Sequence, residues 1–178
     1  MKPARTSIAI SPNGKIAALG TPTRAPILWD LETGATRAPE DVNSSFSVTF
    51  SPNGRFLLSG NSDCTFHVYE TSSLEVAAVL RSSGKVPSAA FSPDGKTLAV
   101  TSNTTKRIRL WNVPTWQELG SLSSYDQTLG GLAFLNGGKA LAVTVGVPGR
   151  NKWEVFLWGE RAPTSGTKRN ETGQEVKQ

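Results

Sequence analysis

Cysteine and histidine are nearly missing from this chain: Cys64 and His67 stand alone among 178 residues. One cysteine excludes an internal disulfide, and the two residues together fall short of a structural zinc site. The scarcity also weighs against catalysis. A Ser/His/Asp triad would have to use His67, and neither a GxSxG elbow nor a GxxxxGK-Ser/Thr phosphate loop occurs. No apolar run approaches the roughly 20 residues of a membrane helix. The short run behind Met1–Arg5 stops at Ser11-Pro12, too early for a secretory leader. These absences predict a cytosolic chain with no metal, no cofactor, no catalytic residue and no membrane contact. Acid is the scarcer charge, with 14 Asp and Glu against 19 Lys and Arg, a net of +5 and a pI of about 9.6. That excess suits nucleic acid, anionic lipid or an acidic partner. No Lys/Arg run is interleaved with aromatics, so solubility is the plainer use of the charge and nucleic acid is not expected.

What is present is a phrase written four times. Ser11–Gly14 reads SPNG, Ser51–Gly54 SPNG, Ser92–Gly95 SPDG, and Leu135–Gly138 a degraded LNGG. A second landmark runs in parallel: Leu28-Trp29, Val68-Tyr69, Leu110-Trp111 and Leu157-Trp158. Spacing of about 40 residues marks an array, solenoid or propeller. In the second copy, Phe46–Phe50 alternates apolar and polar, the period of a strand with one buried face. Pro52, Asn53 and Gly54 each favour a tight turn, and strands are predicted over Arg55–Ser59, Thr65–Tyr69 and Leu74–Leu80. Each copy is thus expected to form a four-stranded antiparallel sheet.

The copies align in register. Ile10, Phe50, Phe91 and Phe134 fall at one place on the first strand, and Ala17, Leu57, Leu98 and Leu141 at one place on the second. Trp29, Tyr69, Trp111 and Trp158 close the third. A sheet cannot bury both faces alone, so these sheets must stack on large side chains. Phe50, Phe91, Phe134, Trp29, Tyr69, Trp111 and Trp158 are therefore packing residues by expectation, not ligand platforms. The fourth strands are weak, Thr36–Pro39 in the first copy and Gln117–Leu122 in the third, as solvent-facing edges can be. The fourth copy shows none, and Gly159–Gln178 reads as a polar, disordered tail.

With the repeat laid out, residues 7 to 158 resemble the WD-repeat β-propeller family. The namesake dipeptide is Trp29-Asp30, inside Leu28–Leu31. Phe50–Gly54 and Phe91–Lys96 are similar to the family's first-strand turn, and Ile108–Asn112 to its third strand. The resemblance implies an all-β, propeller-type array of four four-stranded antiparallel blades over about 7–45, 46–85, 86–128 and 129–158. The last blade is expected to be incomplete, followed by a tail at 159–178. It also implies a non-catalytic protein–protein interaction scaffold. The family's buried His–Asp–Ser–Trp network is largely missing: His67 lies within a third strand, the second copy offers only Asp63 and Ser59 beside Tyr69, and Thr23, Thr105 and Lys152 stand where the Asp belongs elsewhere. Such loose repeats resemble divergent bacterial members, and propellers of bacterial stress proteins and some serine peptidases share the SPDG turn.

Four repeats are few for a ring that propellers close with about four to eight blades. The expectation is a partial or small propeller, a fragment, or half of a homodimeric ring. In a propeller the loops joining second to third strands share one rim, and here they carry Arg24, Lys106, Arg107, Arg150 and Lys152, with Trp153 alongside. A basic rim with an aromatic suits an acidic or phosphorylated protein segment. Lys15, Arg55, Lys96 and Lys139, each following a turn glycine, belong to the repeated phrase itself. Two other functions stay open: the propeller portion of a larger enzyme, such as a bacterial kinase or peptidase, and binding of nucleic acid or an anionic surface through the basic rim.

Overall fold

The computed structural model describes residues 7–21, 23–40, 44–61, 63–81, 88–102, 104–122, 128–146 and 153–159, with backbone alone at 167–169 and 175–177. The chain divides into two units, Met1–Val86 and Pro87–Gln178. The first unit holds two four-stranded sheets: β1 (Ser7–Ile10), β2 (Ile16–Thr21), β3 (Arg24–Asp30) and β4 (Thr36–Arg37), then β5 (Ser45–Phe50), β6 (Phe56–Asn61), β7 (Thr65–Glu70) and β8 (Val76–Arg81). The second unit holds β9 (Ala89–Phe91), β10 (Thr97–Ser102), β11 (Arg107–Asn112) and β12 (Gln117–Leu122) in a third sheet. Its fourth sheet is built from β13 (Leu129–Leu135), β14 (Ala140–Gly146) and β15 (Trp153–Gly159). All pairings are antiparallel between successive strands through these elements.

Two short strands are described within the tail that the sequence reads as disordered. β16 (Thr167–Arg169) and β17 (Glu175–Lys177) pair with each other, and β17 pairs with the open edge of β15 through Phe156↔Val176 and Leu157↔Glu175. The fourth sheet therefore has five strands in the order β13-β14-β15-β17-β16. The physical reason lies in β15, whose outer N–H and C=O groups need a partner that no fourth strand of the usual kind supplies.

Serine anchors the first three turns. Ser11, Ser51 and Ser92 are buried, and each hydroxyl accepts the N–H of the residue five places on (Ile16, Phe56 and Thr97), at 2.9 Å in all three. The same hydroxyl donates to Oδ1 of Asn13, Asn53 or Asp94. That oxygen also accepts the N–H of Lys15, Arg55 or Lys96 at 3.0–3.1 Å. Gly54 completes its turn at φ 70°, a left-handed conformation that glycine adopts without steric cost. The fourth turn has no serine, and Asn136, Gly137 and Gly138 instead run left-handed in succession through a single 3-10 turn.

The aligned residues are direct cross-strand neighbours: Ile10↔Ala17↔Trp29, Phe50↔Leu57↔Tyr69, Phe91↔Leu98↔Trp111 and Phe134↔Leu141↔Trp158. Within the first unit, Phe50, Leu57 and Tyr69 of the second sheet pack on Ala18 and Leu28 of the first. Within the second unit, Leu141 and Val143 of the fourth sheet, with Phe134 and Trp158 partly covered, pack on Ala99 and Ile108 of the third. One member of the aromatic column differs. Trp29 is 46% exposed, whereas its counterpart Tyr69 is fully buried. Stacking buries a ridge only where another sheet lies over it, and among the described residues of the first unit none lies over Ile10 and Trp29.

The outer edge of the first sheet is short. β4 covers only Leu28 and Trp29 of β3, and among the described residues the start of β3 has no outer partner strand. β3 also has one residue more than β2 between the pairs Thr21↔Arg24 and Leu19↔Ile27, and Pro26 lies in that bulge. A bulged edge position needs no ladder donor, so proline is accommodated there.

Candidate functional site

Two of the cations beside the serine turns are neutralised locally: Lys15 Nζ lies 3.0 Å from Glu32, and Arg55 reaches Glu70 at 2.8 Å while stacking on Phe56. Arg109 forks onto the Glu118 carboxylate and covers the Trp111 ring. At the opposite ends of the strands, among the described residues, Arg24, Lys106 and Arg107 form no ion pair. Arg24 is exposed at the start of β3, and Lys106 holds a left-handed φ of 55° in the β10–β11 hairpin. Arg107, also exposed, reaches only the Ser121 hydroxyl, at 3.5 Å. Arg24 lies in the first unit and Lys106 and Arg107 in the second, each at its own hairpin. Arg150 and Lys152 lie outside the described residues.

Trp153 opens β15 and is 54% exposed. Its ring lies against glycines: a Cβ at Gly130 would come within 2.8 Å of Cζ3, and one at Gly146 within 3.7 Å of Cη2. Half of Trp153 is thus seated on a glycine shelf, and the other half is displayed. Val155 and Leu157 continue the same face, at 47% and 38% exposure.

Because β4 is so short, an open cleft of about 510 Å³ forms beside β3, lined by Arg24, Ala25, Ile27, Arg37, Pro39 and Glu40 among others. Arg37 is committed elsewhere in its unit, donating to the carbonyls of Thr71 and Ser72. Arg24, which forms no ion pair among the described residues, shares this cleft with Glu40. The sequence shows Thr36–Pro39 as a weak strand, and the concavity that such weakness creates has no motif of its own.

The residues weighed for the family's polar network do not assemble into it. Ser59 donates to Asn61 Oδ1 at 2.9 Å and bonds the Ser45 hydroxyl at 2.8 Å, all three buried. Asp63 instead accepts from the Thr65 hydroxyl and N–H, which, with the nearby His67, hold its carboxyl below the ordinary range. His67 is buried in β7, with Nδ1 3.3 Å from the Tyr69 hydroxyl. The second sheet therefore has a buried polar chain of its own, Ser45–Ser59–Asn61. The signal missed was the serine at Ser45, just ahead of the apolar alternation.

Stacked, four-stranded antiparallel sheets joined strand by strand define a propeller-type fold. Among known structures, one chain of Kuenenia stuttgartiensis Hydrazine Synthase superposes with a TM-score of 0.78 at 17% identity, covering 86% of this chain and 45% of that one. Residues 40–70 and 75–112 match the WD40 family, described as WD domain, G-beta repeat. The chain is 30% identical over 132 residues to Periodic tryptophan protein 2 homolog of Schizosaccharomyces pombe, covering 71% of this chain and 15% of that protein's length. The chain belongs to the WD-repeat family. WD repeats generally mediate protein–protein interaction. Among the described residues no helix is long and apolar enough to cross a membrane.

Proposed function

We propose that this chain is a non-catalytic, cytoplasmic interaction scaffold, docking acidic or phosphorylated protein segments through its loop-side cations. The single observation behind this reading is the state of the cations. Lys15 and Arg55 beside the turns are paired with Glu32 and Glu70, whereas among the described residues Arg24, Lys106 and Arg107 form no ion pair and are left for an outside anion. Guanidinium groups suit carboxylate and phosphate because their planar donors match both geometries. The placement of His67, enclosed with Tyr69 inside a sheet, supports a structural use of the chain's one imidazole. A second copy of the chain is a further partner under this reading, bringing four repeats to eight in a ring.

Arrays of acidic and phosphoserine peptides test the proposal. Binding that weakens about tenfold in Arg24→Glu or in Lys106→Glu/Arg107→Glu is the expected result. Binding unchanged in both variants, or equal on uncharged peptides, removes the reading. A second reading, the propeller portion of a larger enzyme, draws support from the likeness to less than half of a hydrazine synthase chain. Catalytic activity in a longer protein containing these repeats would favour it.

A further inference from the structure

The stacking interface within the first unit and the one within the second share one construction. On the receiving side, a cross-strand triple of small residues ends in leucine: Ala9↔Ala18↔Leu28 in the first sheet and Ala90↔Ala99↔Leu110 in the third. On the inserting side stands a ridge, Phe50↔Leu57↔Tyr69 over the first trench and Phe134↔Leu141↔Trp158 over the second. The shallow alanines admit the ridge, and the leucine walls it.

One further trench and one further ridge stand exposed among the described residues. The fourth sheet has a third trench of identical composition and register, Ala133↔Ala142↔Leu157. Its rim is exposed at Leu135 (40%), Val155 (47%) and Leu157 (38%). The first sheet has a spare ridge, Ile10↔Ala17↔Trp29, with Ile10 52% and Trp29 46% exposed and Ile8 beside them at 68%. Exposed apolar faces of this kind mark interaction sites.

We infer that the Ile10–Ala17–Trp29 ridge of one copy docks in the Ala133–Ala142–Leu157 trench of a second copy. The inference rests on the second-copy reading above and adds the surfaces that meet. The contact continues an interface found within each unit, with the same trench residues and the same register, the ridge offering Ile10 and Ala17 where the other two have Phe and Leu. It is heterologous, since ridge meets trench and not ridge.

Sedimentation velocity from low micromolar to several hundred micromolar protein tests it, with circular dichroism to confirm the fold. Wild type is expected to associate with rising concentration. Trp29→Glu and Val155→Glu, which place a charge at an apolar contact, should each weaken association by at least about tenfold. Ile8→Glu replaces the first variant if Trp29→Glu fails to fold. An equal mixture of the two variants retains one intact ridge and one intact trench, so it should recover a heterodimer and stop there. A monomer at every concentration overturns both the second-copy reading and the docking. Association that ignores these substitutions, or variants that fail to complement on mixing, overturns the ridge-and-trench contact while leaving self-association standing.

Discussion

Replacing Ser92 by alanine should cost more stability than the same change at Ser11, and the difference should depend on pH. Ser92 is buried and its hydroxyl works twice, accepting the Thr97 N–H at 2.9 Å and donating to the Asp94 carboxylate at 2.5 Å. The first bond is neutral and contributes about 1 kcal/mol. The second has an ionised acceptor, discounted because Asp94 faces solvent, so it adds roughly 1–2 kcal/mol. Ser92→Ala should therefore lose about 2–3 kcal/mol. Ser11→Ala should lose about 1–2 kcal/mol, since the matching acceptor there is the neutral Asn13. The Ser92 hydroxyl above all, and the Lys96 N–H after it, hold the Asp94 carboxyl below its ordinary value of 3.8. A depressed carboxylate stabilises the fold above its unfolded pKa and stops doing so as pH falls through the folded one. The excess cost of Ser92→Ala over Ser11→Ala should accordingly be full at neutral pH and fade below about pH 4. Urea unfolding followed by tryptophan fluorescence at pH 7 and at pH 3 measures it, with Asp94→Asn as the partner in a double-mutant cycle. A Ser92→Ala loss under about 0.5 kcal/mol, or an excess insensitive to pH, would refute the hydroxyl-centred account of the turn.

Two other outcomes check the packing. Tyr69→Ala, at a fully buried ridge position between the first two sheets, should cost about 3–5 kcal/mol in urea unfolding. Gly130→Ala places a methyl against the Trp153 ring and the Thr144 hydroxyl, so it should destabilise by about 1–3 kcal/mol. It should also red-shift the Trp153 emission as the ring leaves its shelf, an effect seen by comparing spectra in a Trp153→Phe background.

Most of the fold was legible because a strand's side-chain period is two and each repeat states it afresh. Ile10, Phe50, Phe91 and Phe134 could be aligned by eye, and the structure makes each the cross-strand neighbour of the expected second-strand residue. Burial was harder to read, because it depends on what lies over a face and not on the residue. Trp29 and Tyr69 hold the same repeat position yet differ completely in exposure. The tail strands escaped notice because Thr167–Arg169 and Glu175–Lys177 are too short and polar to show a period, and what pairs β17 is the backbone edge of β15. Of the candidate rim, the residue types were legible, since Arg24, Lys106 and Arg107 stand in recognisable hairpins. Whether each cation had already found a carboxylate was not, because partners such as Glu70 for Arg55 lie 15 residues away. The cleft beside β3 arises because β4 stops after two residues, and a strand cut short leaves no motif.

That bulged, proline-bearing edge also constrains the grammar of recognition at the cleft. An open strand edge ordinarily invites a guest to join by main-chain pairing, a mode indifferent to the guest's sequence. Pro26 withdraws a donor and the extra residue breaks the spacing that such pairing needs. A guest at Arg24 must be read by its side chains, so the same irregularity that keeps this edge from nucleating aggregates makes it selective.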